Sequence, residues 1–267
     1  MPQVENANFI EAGSGTPIVM VPGMEGSKEF WEPQIERMSD SYRVVACGLV
    51  KRKPSLSSSV ADYAAEVLAT MDSLGIDKAV MLGESMGGMV VQEIVTAHPE
   101  RVLGLVLVNT MDNARNRMGF GFNMFTLATI VHNLAFLPFL TDEMRFRMLM
   151  WVGRHRGFVM DPSPGNRDLV QYLFDHGTEC GAGGYLDRIL ACGNKRYTER
   201  LKDISVPTLV IRGTEDRLVS PEAVVQFVGR IPGARLALVE GGGHCCSYTM
   251  PDETTKALID WLKANNF

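Results

Sequence analysis

Short apolar runs bounded by turn residues alternate with helical segments along most of this chain, and that alternation fits a largely parallel sheet with helices on both faces. Strands are expected over Ile18–Val21, Arg43–Cys47, Lys78–Leu82, Val102–Val108, Thr208–Ile211 and Arg235–Val239. Between them, Ser58–Leu74 sets Val60, Tyr63, Ala64, Val67, Leu68, Met71 and Leu74 on one helical stripe, and Gly75 stops it. Further helices are expected over Met86–Ala97, which ends before Pro99, and over Asp252–Ala264. The alternation breaks once. Between Asn109 and Asp203 the strand-like runs vanish and longer helical segments rich in Met, Phe, Leu and Arg take their place. Because both flanks resume the pattern, residues 1–109 and 203–267 are expected to form one α/β core, with 110–202 inserted as a helical cap over the sheet.

Composition narrows the function classes. The 267 residues are 46% hydrophobic and 21% charged, as in an ordinary globular protein, and the formal net charge of −5 offers no general attraction to nucleic acid. Lys51-Arg52-Lys53 is the one basic cluster, and it reads as a solvated loop. Five scattered cysteines show neither Cys-x-x-Cys spacing nor a small-scaffold framework, so reduced thiols are expected. Met1–Glu11 carries acids and asparagines in place of a basic and then apolar leader, which points to a cytoplasmic location. The apolar stretch Phe122–Leu140 contains Asn123, His132, Asn133 and Pro138; such polar groups are costly in lipid, so it reads as a buried or lid-forming helix. Contact of the cap with a membrane interface stays open.

Chemistry concentrates at the end of the run Lys78–Leu82. Gly83-Glu84-Ser85-Met86-Gly87 has the pattern G-x-S-x-G at a strand-to-helix junction. A serine hydroxyl projects from the sheet edge only on a tight turn, glycines on both sides relieve its crowding, and the helix opening at Met86 aims free N–H groups at a developing oxyanion. The segment resembles the nucleophile elbow of the α/β-hydrolase superfamily, and the resemblance covers most of the chain outside the cap.

That resemblance implies partners in the order serine, acid, histidine. His244 follows the last strand through Gly241-Gly242-Gly243, a loop able to swing an imidazole over Ser85, and takes the place of the base. His98, His132, His155 and His176 follow no core strand and read as structural or surface residues. Gly213 to Pro221 resembles the family's G-x-x-D-x-x-x-x-P loop, which puts Asp216 in the acid position; Asp112, after the run Val102–Val108, is a rival. Oxyanion donors are expected at the backbone N–H groups of Met86 and of Met24, in Val21-Pro22-Gly23-Met24-Glu25-Gly26-Ser27. Pro22 stands where the family commonly has histidine, and Glu25 is expected to turn away from the developing anion. Gly48 to Pro54 departs from the family's R-G-x-G-x-S run and, with the cap's layout, is faintly similar to maspardin, for which a binding role is plausible.

The resulting expectation is acyl transfer through Ser85 on a carboxylic ester of small to medium apolar acyl chain, with no cofactor and no metal. Phe122, Met124, Phe125, Leu127, Ile130, Phe136, Met144, Phe146, Met148 and Trp151 supply apolar surface for the roof of a pocket. Carbon–carbon bond hydrolysis, which needs a cation such as Arg145, Arg147, Arg154, Arg156 or Arg188 in the cap, and thioester hydrolysis use the same triad and stay open. Cys245 and Cys246 adjoin His244, but one histidine and two adjacent thiols make a poor metal site.

Overall fold

The computed structural model describes residues 3–6, 8–50, 52–112, 139–148, 166–193 and 197–267. Within these, eight strands form one sheet in the order β1-β2-β4-β3-β5-β6-β7-β8. They are β1 (Val4–Glu5), β2 (Phe9–Ala12), β3 (Pro17–Val21), β4 (Arg43–Cys47), β5 (Ala79–Glu84), β6 (Val102–Val108), β7 (Thr208–Gly213) and β8 (Arg235–Val239). β1 and β2 pair antiparallel at one edge, and every pairing from β4 through β8 is parallel. The six expected strands are present. β5 and β7 each run two residues past their apolar runs, through Gly83-Glu84 and Arg212-Gly213, because the pairing ladders β5–β6 and β7–β8 continue there. The two additional strands at the edge are short, and β1 is fully exposed, so neither carries a long apolar run.

Central strands buried on both faces explain the near-continuous apolar runs. Val80 and Leu82 enter one core cluster with Ile18, Met20 and Trp261, while Ala79 and Met81 enter the other with Val19, Val67 and Ile94. Helix α1 (Glu32–Met38) and the last helix flank the first cluster; α2 (Val60–Ser73) and α3 (Met86–Ala97) flank the second. Helix α2 begins where local chemistry dictates: Ser59 Oγ accepts from the Ala61 N–H, and the Asp62 carboxylate accepts from the Ser59 N–H at 3.1 Å.

In the expected cap, a helical stretch over 142–148 and the 28-residue helix α4 (Asn166–Gly193) are described. Leu169, Val170, Tyr172 and Leu173 near the start of α4 join one core cluster, whereas Ala191 and Cys192 near its end join the other. The helix therefore crosses from one face of the sheet to the other. Most of Phe122–Leu140, and Trp151, Arg154 and Arg156, lie outside the described residues; Met144 is exposed, while Phe146 and Met148 pack against the first cluster. Among the described residues no helix is long and apolar enough to cross a membrane. Helices α5 (Pro221–Val228), α6 (Cys246–Thr249) and α7 (Pro251–Ala264) complete the core.

Candidate active site

Ser85 sits between β5 and α3 with φ 54° and ψ −119°, a left-handed conformation that costs a residue with a β-carbon free energy. Its flanking glycines are there for space. A β-carbon on Gly83 would lie 2.3 Å from the Gly87 carbonyl oxygen, and one on Gly87 would lie 2.1 Å from that of Val21. The turn is clamped from β6: the Ser85 N–H donates to the Val108 carbonyl at 3.0 Å, and Thr110 Oγ1 donates to the Ser85 carbonyl at 2.6 Å.

His244 Nε2 lies 2.9 Å from Ser85 Oγ, and its Nδ1 lies 3.0 Å from Asp216 Oδ2. Asp216 is buried, and its second oxygen, Oδ1, accepts from the N–H groups of Leu218 and Val219 at 2.8 and 3.1 Å. A carboxylate fixed by two backbone donors cannot swing away from the ring it orients. Burial alone would push the imidazole below the ordinary value of 6.5, but Asp216, by charge and hydrogen bond, with Glu84 and Glu25 behind it, turns the net shift upward. Asp112 is elsewhere. Its fully buried carboxylate accepts from Thr198 Oγ1 at 2.6 Å and lies 4.0 Å from the half-buried Arg230. Of the other histidines, His98 lies 3.5 Å from Glu100 and His176 lies 3.9 Å from Glu29; His132 and His155 fall outside the described residues.

The loop carrying His244 is pinned, contrary to the free swing that three successive glycines suggest. The Glu215 N–H donates to the Gly242 carbonyl and the Gly241 N–H to Thr214 Oγ1, both at 2.8 Å. Asn109, which the sequence pattern did not single out, ties the two loops together. Its Nδ2 donates to the carbonyls of Gly243 and His244 at 3.0 and 2.8 Å, and its Oδ1 accepts from the Gly213 N–H at 2.9 Å. The structure sets it apart as a non-glycine at positive φ, here 43°, and no local pattern in the sequence signals that. Cys246 is buried beneath the same amide, with Sγ 3.2 Å from Nδ2, so it packs as structure. Cys47, Cys192, Cys245 and Cys246 are free, and burial pushes the Cys47 and Cys192 thiols up to about 12. Among the described residues no group of three or more His, Cys, Asp or Glu side chains could hold a metal ion.

The loop after β3 brings Gly23 against Ser85, since a β-carbon on Gly23 would lie 3.4 Å from Ser85 Cβ. That same point is 3.5 Å from Glu25 Oε2. Glu25 therefore faces the site instead of turning away, because the buried Tyr185 hydroxyl of α4 donates to its Oε1 at 3.0 Å and draws it inward. Arg188, one turn further along α4, is fully buried, donating to the carbonyl of Met24 and, at 2.9 Å, to that of Leu49. Its guanidinium is engaged by the protein's own carbonyls, which removes it from the cations offered to a substrate carboxylate. Arg52 also departs from a freely solvated loop: it pairs with Glu66 and lies over the Tyr63 ring, 5.5 Å from its centroid. Met86 opens α3 as a buried residue, with its helix starting directly after Ser85.

Residues 16–251 match the family model described as the alpha/beta hydrolase fold. The chain belongs to that family. A curated relative from Serratia proteamaculans, named "Putative carbamate hydrolase RutD", is 29% identical over 265 residues, covering 94% of this chain and 93% of its own length. Another so named, from Azorhizobium caulinodans, is 28% identical over 261 residues, covering 92% and 91%. Among solved structures, a thermophilic esterase from Thermogutta terrifontis superposes with a TM-score of 0.77 at 20% identity, covering all of both chains. The enol-lactonase of Burkholderia xenovorans gives 0.72 at 21%, covering 98% of this chain and all of its own. At that distance these α/β hydrolases share the fold.

Proposed function

We propose that this α/β hydrolase is a serine hydrolase that cleaves a carboxylic ester of small to medium apolar acyl chain through an acyl-enzyme on Ser85. The observation that carries the reading is the continuous contact from Ser85 Oγ through the His244 ring to the fixed carboxylate of Asp216, at 2.9 and 3.0 Å. His244 Nε2 takes the Ser85 proton as Oγ bonds to the substrate carbonyl carbon, and Asp216 holds the ring in one tautomer and stabilises its cationic form. The N–H groups of Met24 and Met86 receive the oxyanion. Its collapse breaks the bond to the alcohol, which leaves with the proton from His244; water then attacks the acyl-enzyme with the same base, releasing the acid and restoring Ser85. Residues 110–202 act as a cap over the core, and α4 supports this reading by crossing the loops beside Ser85. Carbamates, esters and lactones, the groups in the names of the relatives and structural neighbours, all present a carbonyl to such a nucleophile.

A fluorophosphonate probe followed by peptide mass spectrometry tests the chemistry. Labelling is expected on Ser85 alone and lost in Ser85→Ala; folded protein that takes no label overturns the reading. A series of p-nitrophenyl esters of increasing chain length then tests the acyl preference, and equal rates for all of them overturn it.

A further inference from the structure

Two consecutive residues of the loop after β3 are gripped by α4. Tyr185 Oη bonds to the Glu25 carboxylate, and Arg188 bonds to the Met24 carbonyl and to that of Leu49 on the next loop. Residues three apart on a helix share a face, so one face of α4 reaches down to both. Beneath them Asp187, buried, accepts from the hydroxyls of Ser58 and Tyr63, anchoring the same turn of α4 to the core at α2. The fit around Arg188 is specific on its other side as well. Gly26 has φ +72°, and a β-carbon there would lie 2.3 Å from Arg188 Nη2, so a larger residue would strain the backbone and push on the guanidinium. The loop's own backbone adds a turn, Gly26 N–H to the Gly23 carbonyl at 3.1 Å, and a link from the Leu49 N–H to the Gly26 carbonyl at 2.7 Å.

We infer that Arg188 is a positioning residue for catalysis: by fixing the Met24 carbonyl it sets the orientation of the peptides around Met24 and so aims the Met24 N–H at the oxyanion. This rests on the reading of Ser85 as nucleophile. A planar guanidinium bridges two carbonyls on two loops at once, whereas an ammonium on a flexible stem holds only a point. Donors to an oxyanion are effective when fixed before the reaction, so a loosened loop costs the transition state and leaves ground-state binding largely intact.

The test compares wild type, Arg188→Lys and Arg188→Met, with folding checked by thermal melting. Fluorophosphonate labelling of wild type comes first, because absence of label would remove the nucleophile reading and this inference with it. In the folded variants kcat is expected to fall by about tenfold to a hundredfold with KM nearly unchanged. Affinity for a trifluoromethyl ketone, which forms an oxyanion adduct with the serine, should fall in parallel. Arg188→Met leaves a buried cluster short of its cation; if it does not fold, Arg188→Lys, which keeps charge and stem, decides. A labelled wild type whose folded Arg188→Lys keeps kcat and trifluoromethyl ketone affinity overturns the inference alone, and so does a rise in KM at constant kcat.

Discussion

The two halves of the candidate site are held in different ways. On one side, Ser85, Asp216 and His244 hang from the ends of β5, β7 and β8 and are locked by backbone bonds and by Asn109, all within the sheet and its own loops. On the other, the loop carrying Met24 and Glu25 takes its hold from Tyr185 and Arg188 of a helix inserted between β6 and β7. The difference teaches where each property is written. Ser85, His244 and Asp216, the proposed nucleophile, base and acid, are placed by the core, while the proposed oxyanion side depends on the seating of the inserted segment.

The largest effect expected from the core side is that of the acid. Asp216→Asn should lower kcat by roughly 10⁴, because an amide favours the wrong imidazole tautomer, whereas Asp112→Asn should leave kcat nearly unchanged. Steady-state kinetics of the two purified variants separates them; equal losses would break the assignment. A smaller effect is expected at the clamp. Asn109→Ala should destabilise the fold by about 1–3 kcal/mol in urea unfolding, since it strands the buried Gly213 N–H and two carbonyls. A variant as stable as wild type would show that the loops hold themselves.

The smallest effect crosses from one half to the other. With His244 as the proposed base, only its neutral form takes the serine proton, so the acid limb of kcat/KM against pH is expected above the ordinary imidazole value of 6.5, with activity lost as the pH falls through that limb. Glu25 is one of the carboxylates that hold the imidazolium up. Glu25→Gln keeps an acceptor for Tyr185 and removes the charge, so the limb should move to lower pH. An unmoved limb would show that the inward turn of Glu25 is not felt at the base.

Much of the site was legible because its constraints are local. A serine between two glycines at a strand-to-helix junction specifies the turn by sterics, and the glycine-rich loop before His244 and the loop around Asp216 each follow a strand that ends at the same sheet edge. Asn109 was not legible, since its role is three hydrogen bonds to segments more than a hundred residues away. Glu25 was misread for a related reason: electrostatic repulsion from a developing anion argued for turning away, and a hydroxyl 160 residues along the chain decided otherwise.

By itself, then, the sequence determined the parallel sheet and the strained serine turn, because apolar period and glycine sterics act over a few neighbouring residues. Tertiary structure alone decided which aspartate meets His244, that Arg188 serves the protein's own carbonyls, and that α4 grips the Met24 loop. Those outcomes depend on which distant groups burial brings together, and a buried donor or acceptor must find its partner wherever the fold supplies one.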